Sequence, residues 1–239
     1  MFEKINYSRL GVNDLKSYSD FAVDKTDLLI CRSPLFHGST EKAIDCNPEI
    51  MQLIHDHSLI IIKAAKDFYA KNSNDPAFKN ELKDYVENTG NDVFCDGVTC
   101  EFGISSLYSY GDFYVTTNFE AAMDYAELTF GELALRAYYN ACGLRTFKAN
   151  ADIEASISFI IDKYDEFKNS PKAVLLLRNV SFDDLRSEGG HPLNSDRQRK
   201  RIYEADAVVN CNLRVMNVFQ YTLELFSEDL FAEAKQCFL

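Results

Sequence analysis

The stretch "LFHGST", residues 35–40, follows the apolar run "DLLIC" and precedes a helical pattern. Leu35 and Phe36 continue a run heading into a core, yet a histidine, a glycine and two hydroxyls then interrupt it. A residue pattern of this kind predicts a strand over 27–39, cut short at Pro34 and resumed through Leu35, Phe36 and His37. Glycine carries no Cβ, so beside His37 it would let a ligand approach the main-chain N–H and C=O of Gly38. Taken alone, a histidine in a strand is more often a satisfied structural residue than a functional one.

Outward from this stretch, helix and strand patterns mix without a regular strand–helix–strand series, which predicts an α+β fold. A helix is expected from Asn47-Pro48-Glu49, where Asn47 can cap and proline suits the first turn, to about Tyr69. "KNSNDPAFKN" reads as a turn-rich break, and 81–103 as an acidic surface excursion with a short helix or hairpin. "DFYVTT" (112–117) is aromatic and β-branched and reads as a strand. Asn118 should cap a long helix that Gly143 closes, and Asn150 or Asp152 opens another to about Phe167. "PKAVLLLRNV" (171–180) is the strongest strand pattern, and 181–200 reads as a long polar loop. "IYEADAVVN" and "LRVMNVFQYTLEL" alternate as two successive strands, and "SEDLFAEAKQCF" as a closing helix.

The chain has 239 residues, 46% hydrophobic and 26% charged, with 18 Phe and 13 Tyr against 10 Gly and 5 Pro. Such a composition predicts one compact domain over 1–239, with a core from about 27 to 225 and an N-terminal helical segment over 1–26. The net charge of −12 opposes prolonged contact with a phosphate backbone, and "DRQRKR" (196–201) is the one basic strip. Cysteines at 31, 46, 95, 100, 142, 211 and 237 are odd in number and irregularly spaced. They suggest reduced thiols in a cytoplasmic setting, with no metal site expected of "CDGVTC". The apolar runs "SLIII" and "AVLLL" are too short to predict a membrane span.

Two further features could carry chemistry. Tyr114, on a strand, and Tyr125, on the helix after it, could be folded back to enclose a flat ring, although both could equally be core. Glu204 sits in an otherwise apolar strand pattern, where a carboxylate either faces solvent or is placed for use. Glu188, Asp206 and Glu224 lie in looser surroundings.

Together, His37-Gly38-Ser39, Gly111-Asp112-Phe113-Tyr114-Val115-Thr116, Ala122-Met123-Asp124-Tyr125-Ala126 and Glu204 resemble the His–Tyr–Glu signature of the diphtheria-toxin-like and poly(ADP-ribose)-polymerase-like ADP-ribosyltransferases. The resemblance spans about residues 30–220. It implies a split β-sandwich with flanking helices, and NAD⁺ as co-substrate without a metal. In that family's pattern His37 would hold the adenosine-side ribose, the main chain of Gly38 would grip the nicotinamide carboxamide, and Ser39 would assist there. Tyr114 and Tyr125 would sandwich the nicotinamide ring, and Glu204 would be catalytic, stabilising positive charge on the ribosyl carbon. ADP-ribose would pass to a macromolecular acceptor, a protein in preference to a nucleic acid, which stays open as the alternative, with no membrane partner. A bacterial or phage toxin or effector, delivered into a host cytosol, is a natural owner of such a domain. The same site with water as acceptor would be an NAD⁺ glycohydrolase, and without turnover a binding module. Two departures stand out: Gly111 alone precedes Tyr114 where the family often has two glycines, and Ile202 occupies the place of the Gln or Glu that marks arginine-directed members.

Overall fold

The computed structural model describes residues 4–16, 34–96, 113–128, 131–149, 151–187, 192–193 and 212–239. Where composition predicts one domain, the described residues fall into two compact units. One is built from 1–48, 111–129 and 170–239, the other from 49–110 and 130–169.

The first unit is a seven-stranded mixed sheet with helices. Its strands are β1 (Tyr7–Arg9), β2 (Leu35–Thr40), β3 (Phe113–Thr116), β4 (Lys172–Leu177), β5 (Leu185–Ser187), β6 (Asn212–Val215) and β7 (Leu223–Ser227), in the order β1-β7-β4-β2-β3-β6-β5. β2 and β4 pair antiparallel along their whole length, from Leu35–Leu177 to Thr40–Lys172. β7 joins β4 antiparallel and β1 parallel. On the other side, β3 meets β2 at the single pair Phe36–Thr116, then continues into β6 and β5.

The unbroken apolar run of β4 follows from burial on both faces. Ala173, Leu175 and Leu177 enter a cluster with Leu35, Phe113, Val115, Leu185, Leu213, Val215, Leu223 and Leu225. Val174 and Leu176 enter a second cluster with Phe36, Phe119, Ala122, Phe226 and Phe231. There the ring of Phe36 meets those of Phe119 and Phe238 edge-on, at 5.2 and 5.0 Å between centroids. The Phe119–Ala126 helix that supplies this cluster starts as the sequence predicts, with the Asn118 side chain accepting from Ala121 N–H at 3.1 Å.

The second unit is helical, holding Pro48–Asn72 from its second residue onward, Pro76–Thr89, Val93–Asp96, Glu132–Thr146 and Glu154–Phe167. Its core stacks Phe94 on Phe147, 5.6 Å apart, with Phe68, Phe78 and Tyr85 around them.

Several expectations change. The break expected at "KNSNDPAFKN" is confined to a turn, because the Asp75 side chain accepts from Ala77 N–H and Pro76 opens a 14-residue helix. The long helix expected from Asn118 to Gly143 is two helices, Phe119–Ala126 and Glu132–Thr146, separated around Gly131 at φ 79°. Gly143 lies inside the second helix and does not close it. A Cβ there would come within 2.4 Å of the Phe94 ring, so glycine serves close packing at that point. "LRVMNVFQYTLEL" is two strands, since Asn217 turns left-handed (φ 52°) before a 3₁₀ turn at Val218–Gln220. The polar segment after β4 contains β5, and the N-terminus contributes β1 as well as a short helix, Val12–Lys16. The "IYEADAVVN" strand and residues 17–33 lie outside the described residues. Among the described residues no helix is long and apolar enough to cross a membrane.

Buried Asp184 holds the β6–β7 corner. Its carboxylate accepts from Asn217 Nδ2 at 3.0 Å, from Tyr221 OH at 2.7 Å and from Gln220 Nε2, while Met216 N–H donates to its carbonyl at 2.7 Å. The Tyr221 hydroxyl, with Asn217 and Gln220 behind it, holds the Asp184 carboxyl below its ordinary value despite burial. A depressed folded-state pKa gives stability that is present above the unfolded value, about 3.9, and lost as pH falls through the folded one. Denaturation midpoints between pH 2 and 5 should therefore fall in the native chain and fall less in Asp184→Asn, which should itself lose about 1–3 kcal/mol at neutral pH by leaving buried donors mismatched.

Candidate functional site

The strand pair β2–β4 sets which way the main chain of "HGS" points. Glu41 N–H donates to the Pro171 carbonyl at 3.0 Å, one register step beyond the Thr40–Lys172 pair. Bonded and non-bonded pairs alternate along an antiparallel ladder. His37 and Ser39 therefore bond across to β4, whereas Phe36 and Gly38 aim their N–H and C=O groups away from it, toward β3.

On that side the ladder stops early. The pair Phe36–Thr116 is followed by no registered pair between Gly38 and Tyr114. Instead the imidazole of His37 reaches into the opening, and its Nδ1 lies 2.7 Å from the Tyr114 carbonyl oxygen. Because a carbonyl only accepts, Nδ1 carries the proton. Burial pushes the His37 pKa below its ordinary value, and the bond to Tyr114 offsets this in part. The ring is thus neutral at pH 7, and its Nε2 is a lone-pair acceptor. Phe113 stacks against it, 4.2 Å between centroids and 28° between planes. Alternation puts His37 and Ser39 on the Leu35 face of β2, while Tyr114 leaves β3 on the face of Thr116 and Phe36. His37 thus meets Tyr114 through its main chain.

Gly38 differs from expectation. A Cβ at this position would lie 1.8 Å from the Ala122 carbonyl oxygen and 2.7 Å from Ala126 N. The space that a ligand was expected to use is filled by the backbone of the Phe119–Ala126 helix, and the glycine is there so that helix and strand can touch. What remains for a ligand is the in-plane edge of Gly38, on the β3 side. The same helical turn carries Tyr125, which is 42% exposed. His37, Gly38, the Tyr114 main chain and the Tyr125 turn thus form one neighbourhood, with Ser39 beside them opposite Ala173 on β4. Gly111, Asp112 and Glu204 lie outside the described residues.

Sequence reasoning missed Arg214. It stands opposite Tyr114 in the β3–β6 pair, with its guanidinium carbon 5.8 Å from the Tyr114 ring centroid. The signal available was a lone charge between Leu213 and Val215, both core residues. A strand pattern defined by its apolar positions alone does not single it out.

For a histidine whose folded-state pKa is lowered, stability is full above the unfolded value of about 6.5 and declines as pH falls below it. Urea midpoints measured from pH 7.5 to 5 should decline for the native chain, and the decline should flatten in His37→Gln. Gly38→Ala should cost about 1–3 kcal/mol or more at any of these pH values, because the obstructing atoms are backbone.

Comparisons of the chain with protein-family models, with curated proteins and with solved structures give no match in any of the three, so the chemistry of this site rests on its own residues.

Proposed function

We propose that the chain is an NAD⁺-dependent ADP-ribosyltransferase, with its sheet acting as the split β-sandwich of that family. The observation that carries the reading is the opening between β2 and β3 at Gly38, held by the His37–Tyr114 bond. A main-chain N–H and C=O turned into an opening match a carboxamide, which both donates and accepts. With Nδ1 engaged, Nε2 of His37 is the acceptor that a ribose hydroxyl of the adenosine side would need. Tyr114 and Tyr125 would flank the nicotinamide ring. Glu204 would bond the nicotinamide-ribose 2′-hydroxyl and stabilise charge that appears on C1′ only as the glycosidic bond breaks, so it would raise rate more than affinity. In the transfer, an acceptor oxygen or nitrogen bonds C1′ while nicotinamide leaves with the electron pair of the broken C–N bond.

Incubating the chain with NAD⁺ labelled in its adenosine half and with cell extract tests this reading. Label bound to macromolecule is the expected result, free ADP-ribose alone would mean a glycohydrolase, and no release of nicotinamide would mean a binding module or neither. Glu204→Ala should lower turnover roughly 10²–10³-fold with NAD⁺ binding largely retained. His37→Ala should raise the NAD⁺ KM by roughly 3–10-fold, the weight of one hydrogen bond.

A further inference from the structure

In the helical unit, Glu132–Thr146 and Glu154–Phe167 run side by side in opposite directions. Near the end of the first, Arg145 Nη2 donates to Glu154 Oε1 and Ser158 Oγ near the start of the second, at 2.7 and 2.9 Å. Two turns back, Tyr138 meets Tyr164 near the end of the second. Ala134 and Ala141, buried one turn either side of Tyr138, keep the spacing between the helices short. The two tyrosine rings lie 3.6 Å apart between centroids, with 17° between their planes. Neutral aromatic rings prefer offset or edge-on contact at about 4.5–7 Å, because their like-charged faces repel. The nearly parallel Phe94–Phe147 pair of the same unit keeps 5.6 Å. Tyr138 and Tyr164 are thus held almost face over face, the arrangement that neutral rings favour least. The Tyr138 hydroxyl also donates to the Cys142 thiol one turn on, and Tyr139 stands edge-on to Tyr138 at 5.4 Å. Burial, with Cys142 behind it, pushes the Tyr138 hydroxyl well above its ordinary value, and burial raises Tyr164 too, so both phenols keep their protons at neutral pH.

What disfavours this stack in the neutral pair favours it once an electron is missing. Rings held face over face share the positive charge left behind, so the pair gives up an electron more readily than a single phenol. We propose that Tyr138 and Tyr164 form an oxidation site, at which a one-electron oxidant from solution joins the two rings as dityrosine. The oxidant takes one electron from each tyrosine, and each phenolic proton passes to water. The two tyrosyl radicals then bond through ring carbons adjacent to the carbon that bears oxygen. The hydrogens on those carbons move to the oxygens and restore two phenols. Two electrons thus go to two equivalents of oxidant and two protons to water, with one carbon–carbon bond formed. The contacts select the partners: ring lies over ring between Tyr138 and Tyr164, whereas Cys142 meets Tyr138 at its oxygen and Tyr139 stands edge-on. Both tyrosines are half-buried, which does not bar electron transfer, since the oxidant need not touch the rings. The link would close residues 138–164 into a loop and restrict the unfolded chain, as a disulfide does. The site lies in the helical unit and stands independently of the NAD⁺ reading.

The full chain, dilute enough that chains seldom meet, is exposed to photo-generated ruthenium(III) tris-bipyridyl as the one-electron oxidant. The native chain should lose two hydrogens in intact mass and gain dityrosine fluorescence. Proteolysis should then release one linked pair of peptides, carrying Tyr138 and Tyr164. Tyr138→Phe and Tyr164→Phe keep the stacked rings and should lower the yield of the link about tenfold or more, because coupling depends on the held contact of two phenols. Tyr139→Phe and Cys142→Ser should form the link as the native chain does. Circular dichroism checks the fold of each variant, and should Tyr138→Phe fail to fold, Tyr164→Phe carries the test. Unfolding the native chain in urea before oxidation should lower the yield about as far, since the contact is then gone. A link mapped to Tyr139, to Cys142 or between chains, an undiminished yield in the folded phenylalanine variants or in urea, or no loss of two hydrogens from the native chain overturns the assignment.

Discussion

Gly38 has no Cβ, and the Phe119–Ala126 helix occupies the space one would fill. The close approach, with the Ala122 carbonyl 1.8 Å from where a Cβ would sit, brings the helix onto β2. That seats Phe119 against Phe36 in the second core cluster. It also places the turn bearing Tyr125 directly over the point where β2 and β3 part. One missing side-chain atom therefore links the packing of the sheet to the shape of the candidate site.

The second constraint is how the parted strands are held. An open ladder leaves main-chain donors and acceptors that must find partners or water. Here the Tyr114 carbonyl accepts a hydrogen bond from a side chain, His37, that is itself packed on Phe113. The bond fixes the tautomer of the ring, so a residue that could serve as acid, base or ligand is left with one defined acceptor. Packing thereby decides chemistry. At the other end of the sheet Asp184 does comparable work on the β6–β7 corner, and there the effect is to hold β5 and β6 together beneath Arg186 and Arg214.

Much of this was legible in order of residues. Asn118 before an apolar periodic run marks a helix start because its side chain satisfies an N–H the helix cannot, and Asn118 does so. "KAVLLL" marks a strand buried on both faces because β-branched and leucine side chains in an unbroken run leave no face for water. Other signals misled where a residue type has two uses. Gly143 ends a helix in the common pattern, but here it makes room for Phe94, a contact made over 49 residues of chain that no local window contains. Asp75-Pro76 reads as a turn and also opens a helix, and the amphipathic run behind it decided the matter.

The sequence by itself determined that β2, β3, β4, β6 and β7 are strands and that helices begin near Pro48 and after Asn118, because these depend on side-chain periodicity and on capping groups a few residues apart. Only the tertiary structure decided why Gly38 is glycine, which nitrogen of His37 carries its proton, and that Arg214 stands beside Tyr114 with Arg186 beyond it. Each of those is a contact between segments about 28 to 100 residues apart in the chain. Such contacts are set by strand register and by the close approach of one backbone to another, which residue order alone does not contain.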